Sequence, residues 1–271
     1  MIIEKTKALI ARITPLRWIV LKLLRMLRND LVIKNPYSRK PFKINSYFHK
    51  GYWYFGVNRE QATVESTKKL VFEGDLVIEV GGHIGFLSHL YSGLVGPNGV
   101  VHVFEPGANN LPYTRHNLAG LSNVFLHEKG CGNEPGHFEL FEDSITGQNN
   151  SLLPDYVSDE ILVKAHFVKN KRAITTVEVI RLGDFISEIN KVPDHVKIDV
   201  EGFEFEVLRG LGKYLGKITS LMVEVTEKHE EVLQLMKRSG YKPFNASLCP
   251  VSETEVKGWT NNMFFVLQSD C

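Results

Sequence analysis

Residues 75–105 read DLVIEVGGHIGFLSHLYSGLVGPNGVVHVFE. A short apolar run, DLVIEVG, stops at a cluster of glycines. An amphipathic stretch from His83 to Leu94 follows, and a second apolar run, GVVHVFE, ends on Glu105. Runs that are apolar on both sides belong to a sheet covered on both faces, and a helix between two of them is a parallel crossover. The beat continues with a helical pattern over Ala108–Ala119 and NVFLHEK at 123–129, then HVKIDV at 195–200 and a helix over Phe203–Leu215. ITSLMVEV at 218–225, a helix over Lys228–Ser239 and a last strand NMFFVLQ at 262–268 complete it. This predicts an α/β fold with a doubly wound, mostly parallel sheet, whose ligand lies beyond the carboxyl ends of the strands.

The first turn, Glu79-Val80-Gly81-Gly82-His83-Ile84-Gly85, carries an acid and then three glycines. Glycine lets a ligand approach the backbone and permits positive φ, and the helix start beyond it would offer amides to an anionic group. The spacing is not that of a dinucleotide loop: counted from Gly81, the second and third glycines of G-x-G-x-x-G are replaced by His83 and Phe86. An acid at the strand end favours a cationic or hydroxyl-bearing partner over a pyrophosphate, and S-adenosylmethionine has an ammonium, a carboxylate and a ribose. Its predicted contacts are Glu79, Gly81, Gly82, His83 and Gly85. Glu105, 26 residues after Glu79, stands where a carboxylate accepts ribose hydroxyls. Cys131, after the third strand, is a candidate apolar wall for the adenine.

In VKIDVEGFE at 196–204, alternation predicts Ile198 and Val200 buried, with Asp199 and Glu201 at the carboxyl end. A hydroxyl attacking a methyl group loses a proton, which a carboxylate in hydrogen-bond reach can take, while transfer depends on alignment. Glu224 ends the next strand, so the predicted catalytic set is Asp199, Glu201 and Glu224. Three such acids could instead hold a divalent cation, but none lies on a dedicated metal loop and no metal is assigned. His83 could act as a base, although its place in the turn favours capping or cofactor contact.

With VIEVGGHIGFLS, VHVFEP, VKIDVEGFEFEVLRGL, ITSLMVEV and EEVLQLMKRSGY in order, the chain resembles the FkbM family of class I S-adenosylmethionine-dependent methyltransferases over roughly residues 60–267. The resemblance implies a seven-stranded Rossmann-like sheet, S-adenosyl-L-methionine as cofactor, and O-methylation of a sugar, glycan or natural-product hydroxyl. The family usually has Asp at the position of Glu79 and Ala-Asn at Gly82-His83. Two other readings are an NAD(P)-dependent oxidoreductase, which the glycine spacing opposes, and a non-catalytic membrane-recruited scaffold, which the intact turn and strand-end acids oppose.

The 271 residues are 43% apolar and 23% charged, which excludes collagen, a disulfide scaffold and general disorder and fits one large domain with additions. The net charge of +1 hides an asymmetry: residues 1–31 hold seven basic and two acidic side chains, a net of +5, against −4 for the rest. A mildly acidic body argues against a nucleic-acid partner. In the arm, Arg17, Lys22, Arg25 and Arg28 share one side of a helix whose broad apolar side carries Trp18, Ile19, Leu23, Leu24, Met26 and Leu27. Its apolar runs fall far short of the roughly 20 residues needed to span a bilayer. The arm therefore either lies on anionic lipid or packs on the body or a second subunit. Residues 32–73 form an aromatic-rich lead-in or lid, expected to hold a hairpin around Lys50-Gly51 and a helix from Arg59. The catalytic domain is assigned to 74–271, with an insertion at about 132–173 expected to hold a hairpin and a mobile polar loop. Cys131, Cys249 and Cys271 are odd in number and far apart, so they read as reduced thiols of a cytoplasmic protein, peripheral at most to the inner face of a membrane.

Overall fold

The computed structural model describes residues 14–143, 146–154, 172–252 and 262–268. Residues 1–13 of the arm, the side chains of Arg17 and Trp18, residues 144–145 and 155–171 of the insertion, and Cys271 lie outside the described residues. The lead-in comprises α1 (Thr14–Met26), a hairpin of β1 (Asp30–Lys34) and β2 (Pro41–Asn45), α2 (Lys50–Phe55) and α3 (Gln61–Leu70). The body then runs β3 (Leu76–Val80), α4 (Ser88–Val95), β4 (Val100–Phe104), α5 (Leu111–Leu118) and β5 (Val124–His127). An excursion through β6 (Gly130–Gly132), β7 (Gly136–Glu142) and β8 (Ala173–Arg181) leads into α6 (Leu182–Ile189). It returns as β9 (His195–Ile198), α7 (Glu204–Gly210), β10 (Ser220–Glu224), α8 (His229–Arg238), β11 (Tyr241–Phe244) and β12 (Asn262–Leu267).

Seven strands form the central sheet in the order β11-β12-β10-β9-β3-β4-β5, with β12 antiparallel to both of its neighbours and the others parallel. The α/β, mostly parallel seven-stranded arrangement is thus the one expected. Strand alternation builds a core on each face. Ile78 and Val80 meet Val196, Ile198, Leu208 and Leu221 on one side. On the other, Val77 meets Tyr91, Val101, Val103 and Leu118. Full burial of each such aliphatic chain contributes roughly 1.5–3 kcal/mol. The same alternation sends Glu79 and Lys197 to the second side, and the register of β3 on β9 sets them opposite each other. Both strands are buried throughout, so a carboxylate and an ammonium are enclosed together.

Four local expectations change. The hairpin is at 30–45, where Asn35 Oδ1 accepts the amides of Tyr37 and Ser38 in the turn. Lys50–Phe55 is a helix instead: its aromatics look strand-like by propensity, but one helical turn lets Tyr52 pack on Phe86 at 4.6 Å while Phe55 faces out. The helix expected from His83 begins at Ser88, because residues 83–87 are occupied by the turn. The insertion's return strand, β8, runs to Arg181, beyond the expected boundary, and pairs along the whole of β7. Two further elements, α6 and β11, had no place in the expected pattern. β11 is an edge strand, where Pro243 is tolerated and the apolar signal is broken.

Candidate active site

The turn after β3 forms the floor. The amides of Gly81 and Gly82 both donate to the Phe104 carbonyl at 3.0 Å, and that of His83 donates to Glu105 Oε2 at 2.7 Å. Gly81 has φ +83°, and a Cβ there would lie 1.7 Å from the Asp199 carbonyl oxygen. A Cβ on Gly82 would lie 2.3 Å from Val103 Cγ1. The glycines are therefore required first by the protein's own strands, which clamp the turn between β4 and β9. With these amides committed and α4 starting later, the anion-binding helix terminus expected at His83 is not formed.

A cavity of about 360 Å³ opens over this turn, lined by Glu79, Gly81, Gly82, His83, Glu105, Cys131, Asp199, Glu201 and Glu224 among others. Every predicted site residue lines it except Gly85, which packs against Leu118 of α5. Val200 is half-buried rather than buried, because β9 ends at Ile198 and the chain is already turning.

Glu105 is buried and accepts three hydrogen bonds, from His83 on Oε2 and from the Gly107 amide (2.9 Å) and Asn110 Nδ2 (3.1 Å) on Oε1. A carboxylate oxygen has two acceptor sites, so Oε2 keeps one open. Burial outweighs these donors and raises the Glu105 pKa to about 7. His83 is half-buried by exposure, and its pKa is held well below the ordinary histidine value, chiefly by desolvation of the ring. Its Nε2 lies 3.3 Å from the Thr146 carbonyl, which can only accept, so Nδ1 takes the proton of Tyr52 Oη at 2.7 Å. Both ring nitrogens are thereby engaged, and the ring ties the lead-in to the insertion rather than standing free as a base. The insertion is anchored beside it by Asn110 Nδ2 on the Gly147 carbonyl and by Ser151 Oγ on the Glu201 carbonyl. Cys131 is buried, with its thiol pKa raised by desolvation, as suits an apolar wall.

Lys197 is the residue that the sequence reading passed over. Its Nζ donates to the Gly81 carbonyl at 2.5 Å and lies 3.1 Å from Asp199 Oδ2 and 4.0 Å from Glu79 Oε1. At 4.0 Å Glu79 is not hydrogen-bonded to it and is held by Ser88 Oγ at 2.5 Å, so burial prevails and its pKa rises to about 7. Burial also opposes ionisation of Asp199, but the ammonium and hydrogen bonds from Glu224 and Lys197 outweigh it and hold the carboxyl below its ordinary range. Glu224 moves the other way, raised by burial and by the Asp199 charge, so the pair shares one proton that resides on Glu224. Asp199, Glu201 and Glu224 each present an oxygen within 4.8 Å of the others, close enough for a cation, and Lys197 already supplies a positive charge at Asp199. Glu204, also passed over, is fully buried and accepts the Gly202 amide (2.9 Å) and Thr226 Oγ1 (3.1 Å), fixing the turn that carries Glu201. A lysine inside a fully buried strand was the available signal, since such a charge is rarely enclosed without a partner.

A mostly parallel sheet with one reversed strand, and a glycine turn between two acid-tipped strands, fit an α/β methyltransferase. A profile of the FkbM methyltransferase domain matches residues 79–243, more than half of the chain. The chain belongs to that family, and its cofactor is S-adenosylmethionine. A protein named Methyltransferase 1 from Beauveria bassiana is 27% identical over 172 residues, which cover 57% of this chain and 66% of that relative. Among solved structures, fibrillarin from Aeropyrum pernix with bound S-adenosyl-L-methionine has a TM-score of 0.46 at 11% identity, covering 88% of this chain and 89% of that one. A SAM-dependent O-methyltransferase from Thermotoga maritima has a TM-score of 0.43 at 16% identity, covering 78% and 66%.

Proposed function

We propose that the chain transfers the methyl group of S-adenosylmethionine to a hydroxyl oxygen of a sugar, glycan or natural-product acceptor. The observation that carries this reading is Asp199, a carboxylate kept ionised by Lys197 at 3.1 Å in the cavity floored by the glycine turn. The cavity's residues suit the cofactor: Glu105 has an open acceptor site for a ribose hydroxyl, Glu79 and the Gly81 carbonyl face the turn, and Phe104, Cys131 and Leu140 offer an apolar wall. When bound, the cofactor supplies an electrophilic methyl carbon on a sulfonium. Transfer would break the carbon–sulfur bond, with the bonding pair left on sulfur in the departing neutral thioether. Asp199 would take the proton of the acceptor hydroxyl as that oxygen bonds to the carbon, Glu224 would hold Asp199 by its own proton, and Glu201 would orient a neighbouring hydroxyl. Gln148, Asn149 and Glu60 add polar lining that suits a polyhydroxylated acceptor.

In this reading residues 74–271 are the catalytic unit and 32–73 its lid, supported by Phe42, Ile44 and Tyr52 packing on Ile84 and Phe86. The unbridged thiols of Cys131 and Cys249 support a cytoplasmic setting. Asp199→Asn is expected to lower kcat by about 10²–10⁴ while leaving the dissociation constant for S-adenosylhomocysteine within about twofold. The test uses labelled S-adenosylmethionine with a glycan extract, and the transferred label is expected to survive mild base as an ether. Loss of label in base, or an Asp199→Asn variant with full turnover, overturns the assignment. Abolition of turnover by EDTA, with rescue by Mg²⁺, would move the three acids to a metal role.

A further inference from the structure

We propose that the outward face of α1 docks on the surface of an anionic lipid bilayer. This does not rest on the methyl-transfer reading. α1 is apolar around more of its circumference than its contact with the body uses. Val20, Leu21 and Leu24 are half-buried, whereas Ile19, Leu23 and Met26 are 47%, 50% and 73% exposed. At about 100° per residue these three form a stripe roughly 60° wide, edged on one side by Lys22, with Arg25 further round on the same side. Residues 1–13 or a second copy could cover an apolar stripe, but neither explains cations on one side of it. An anionic surface does, because the apolar side chains enter the headgroup boundary while the cations meet lipid charge. The net of +5 on residues 1–31 against −4 on the rest orients the molecule, since the body is repelled by the surface that attracts the arm.

A tryptophan of α2 is tied to the turn that follows α1. After α1, Ser46 donates its amide to the Asn29 carbonyl at 2.9 Å, and Asn29 donates its amide to Ser46 Oγ at 3.1 Å. Trp53 Nε1 donates to the Ser46 carbonyl at 2.8 Å, which places a 36%-exposed indole beside the end of α1. A tryptophan with its N–H satisfied and its ring outward is a typical interfacial anchor. No described helix is long and apolar enough to cross a membrane, so the contact is with the surface. Because α2 carries both Trp53 and the cavity residue Tyr52, docking brings the bilayer alongside a wall of the cavity.

The test is sedimentation of the full chain with phosphatidylcholine vesicles, with and without phosphatidylglycerol. Binding is expected only where phosphatidylglycerol is present, weakening as salt rises. Lys22→Ala should weaken it about fivefold, and Leu23→Glu should abolish it without lowering the melting temperature. Equal binding to both vesicle types, or parent-like binding by Leu23→Glu, overturns the proposal. So does a parent that ignores vesicles and dimerises through the stripe, shown by Leu23→Glu yielding monomers in sedimentation velocity. A parent that ignores vesicles and a Leu23→Glu variant that melts early would assign the stripe to packing within the chain.

Discussion

Lys197→Met is expected to destabilise the protein by about 3 kcal/mol and to abolish turnover. Methionine fills much the same space, so the loss is electrostatic. Removing one partner of a buried charge set leaves the others uncompensated, which costs about 3–5 kcal/mol. The lower end applies because Asp199 retains 30% side-chain exposure and water screens it, whereas Lys197 and Glu79 are at 3% and 1%. Lys197 is a positioning residue: it holds the Gly81 carbonyl and the Asp199 carboxylate at once, and so links the cofactor turn to the group assigned as base. Without it Asp199 should titrate at higher pH, and any residual activity should show its acidic limb displaced upward. Urea unfolding of Lys197→Met, with partial recovery of stability in Lys197→Met/Glu79→Gln, reads the electrostatic part. An unchanged urea midpoint in the single variant would show that the ammonium does not hold these strand ends together.

Gly81→Ala ranks next, with an expected loss of roughly 2–5 kcal/mol from two sources. Alanine is disfavoured at positive φ by about 1–2 kcal/mol, and forcing extra volume into packed structure costs typically 1–3 kcal/mol. Here the obstacle is the Asp199 backbone carbonyl, which cannot swing away as a side chain would. Relief requires the β3 turn to part from the end of β9, so the variant should also lose cofactor affinity. Gly93→Ala is the control: it lies within α4, and a Cβ there meets nothing within 4 Å. It should be neutral or stabilising by up to about 1 kcal/mol. Thermal melts of the two variants should therefore diverge, and coincident melts would remove the steric account of the turn.

Most of the central sheet was legible because its strands are buried on both faces and announce themselves as continuous apolar runs ending in Glu79, Glu105, Asp199 and Glu224. Strand ends are also where a doubly wound sheet places its ligands, so the acids could be named before their neighbours were known. Lys197 was not legible as part of the site, since its partner Glu79 lies 118 residues earlier and becomes adjacent only when β9 takes its place beside β3. Glu204 escaped for a related reason: the donors it accepts from are an amide of its own turn and a threonine after β10. The lead-in misled through composition. Tyr47, Phe48, Tyr52, Trp53, Tyr54 and Phe55 suggest a strand by propensity, yet tertiary packing of Tyr52 on Phe42 and Phe86 selects a helix. The true hairpin at 30–45 carries only the short apolar run Leu31-Val32-Ile33 and the pair Phe42 and Ile44, parted by a polar turn with prolines at 36 and 41, and its partner surface on Ile84 and Phe86 is remote in sequence.

The turn after β3 and Glu105 together are expected to hold S-adenosylmethionine, and calorimetric titration with S-adenosylhomocysteine measures that binding. Glu105 is a much stronger acceptor for a ribose hydroxyl when ionised, and burial raises its pKa to about 7. It is mostly ionised at pH 8 and mostly protonated at pH 6, so affinity should fall roughly tenfold between them. Glu105→Gln, which keeps the shape without the charge, should bind more weakly and show a flattened pH dependence. No binding by the parent at pH 8, or a Glu105→Gln titration that overlays it at both pH values, would contradict the account.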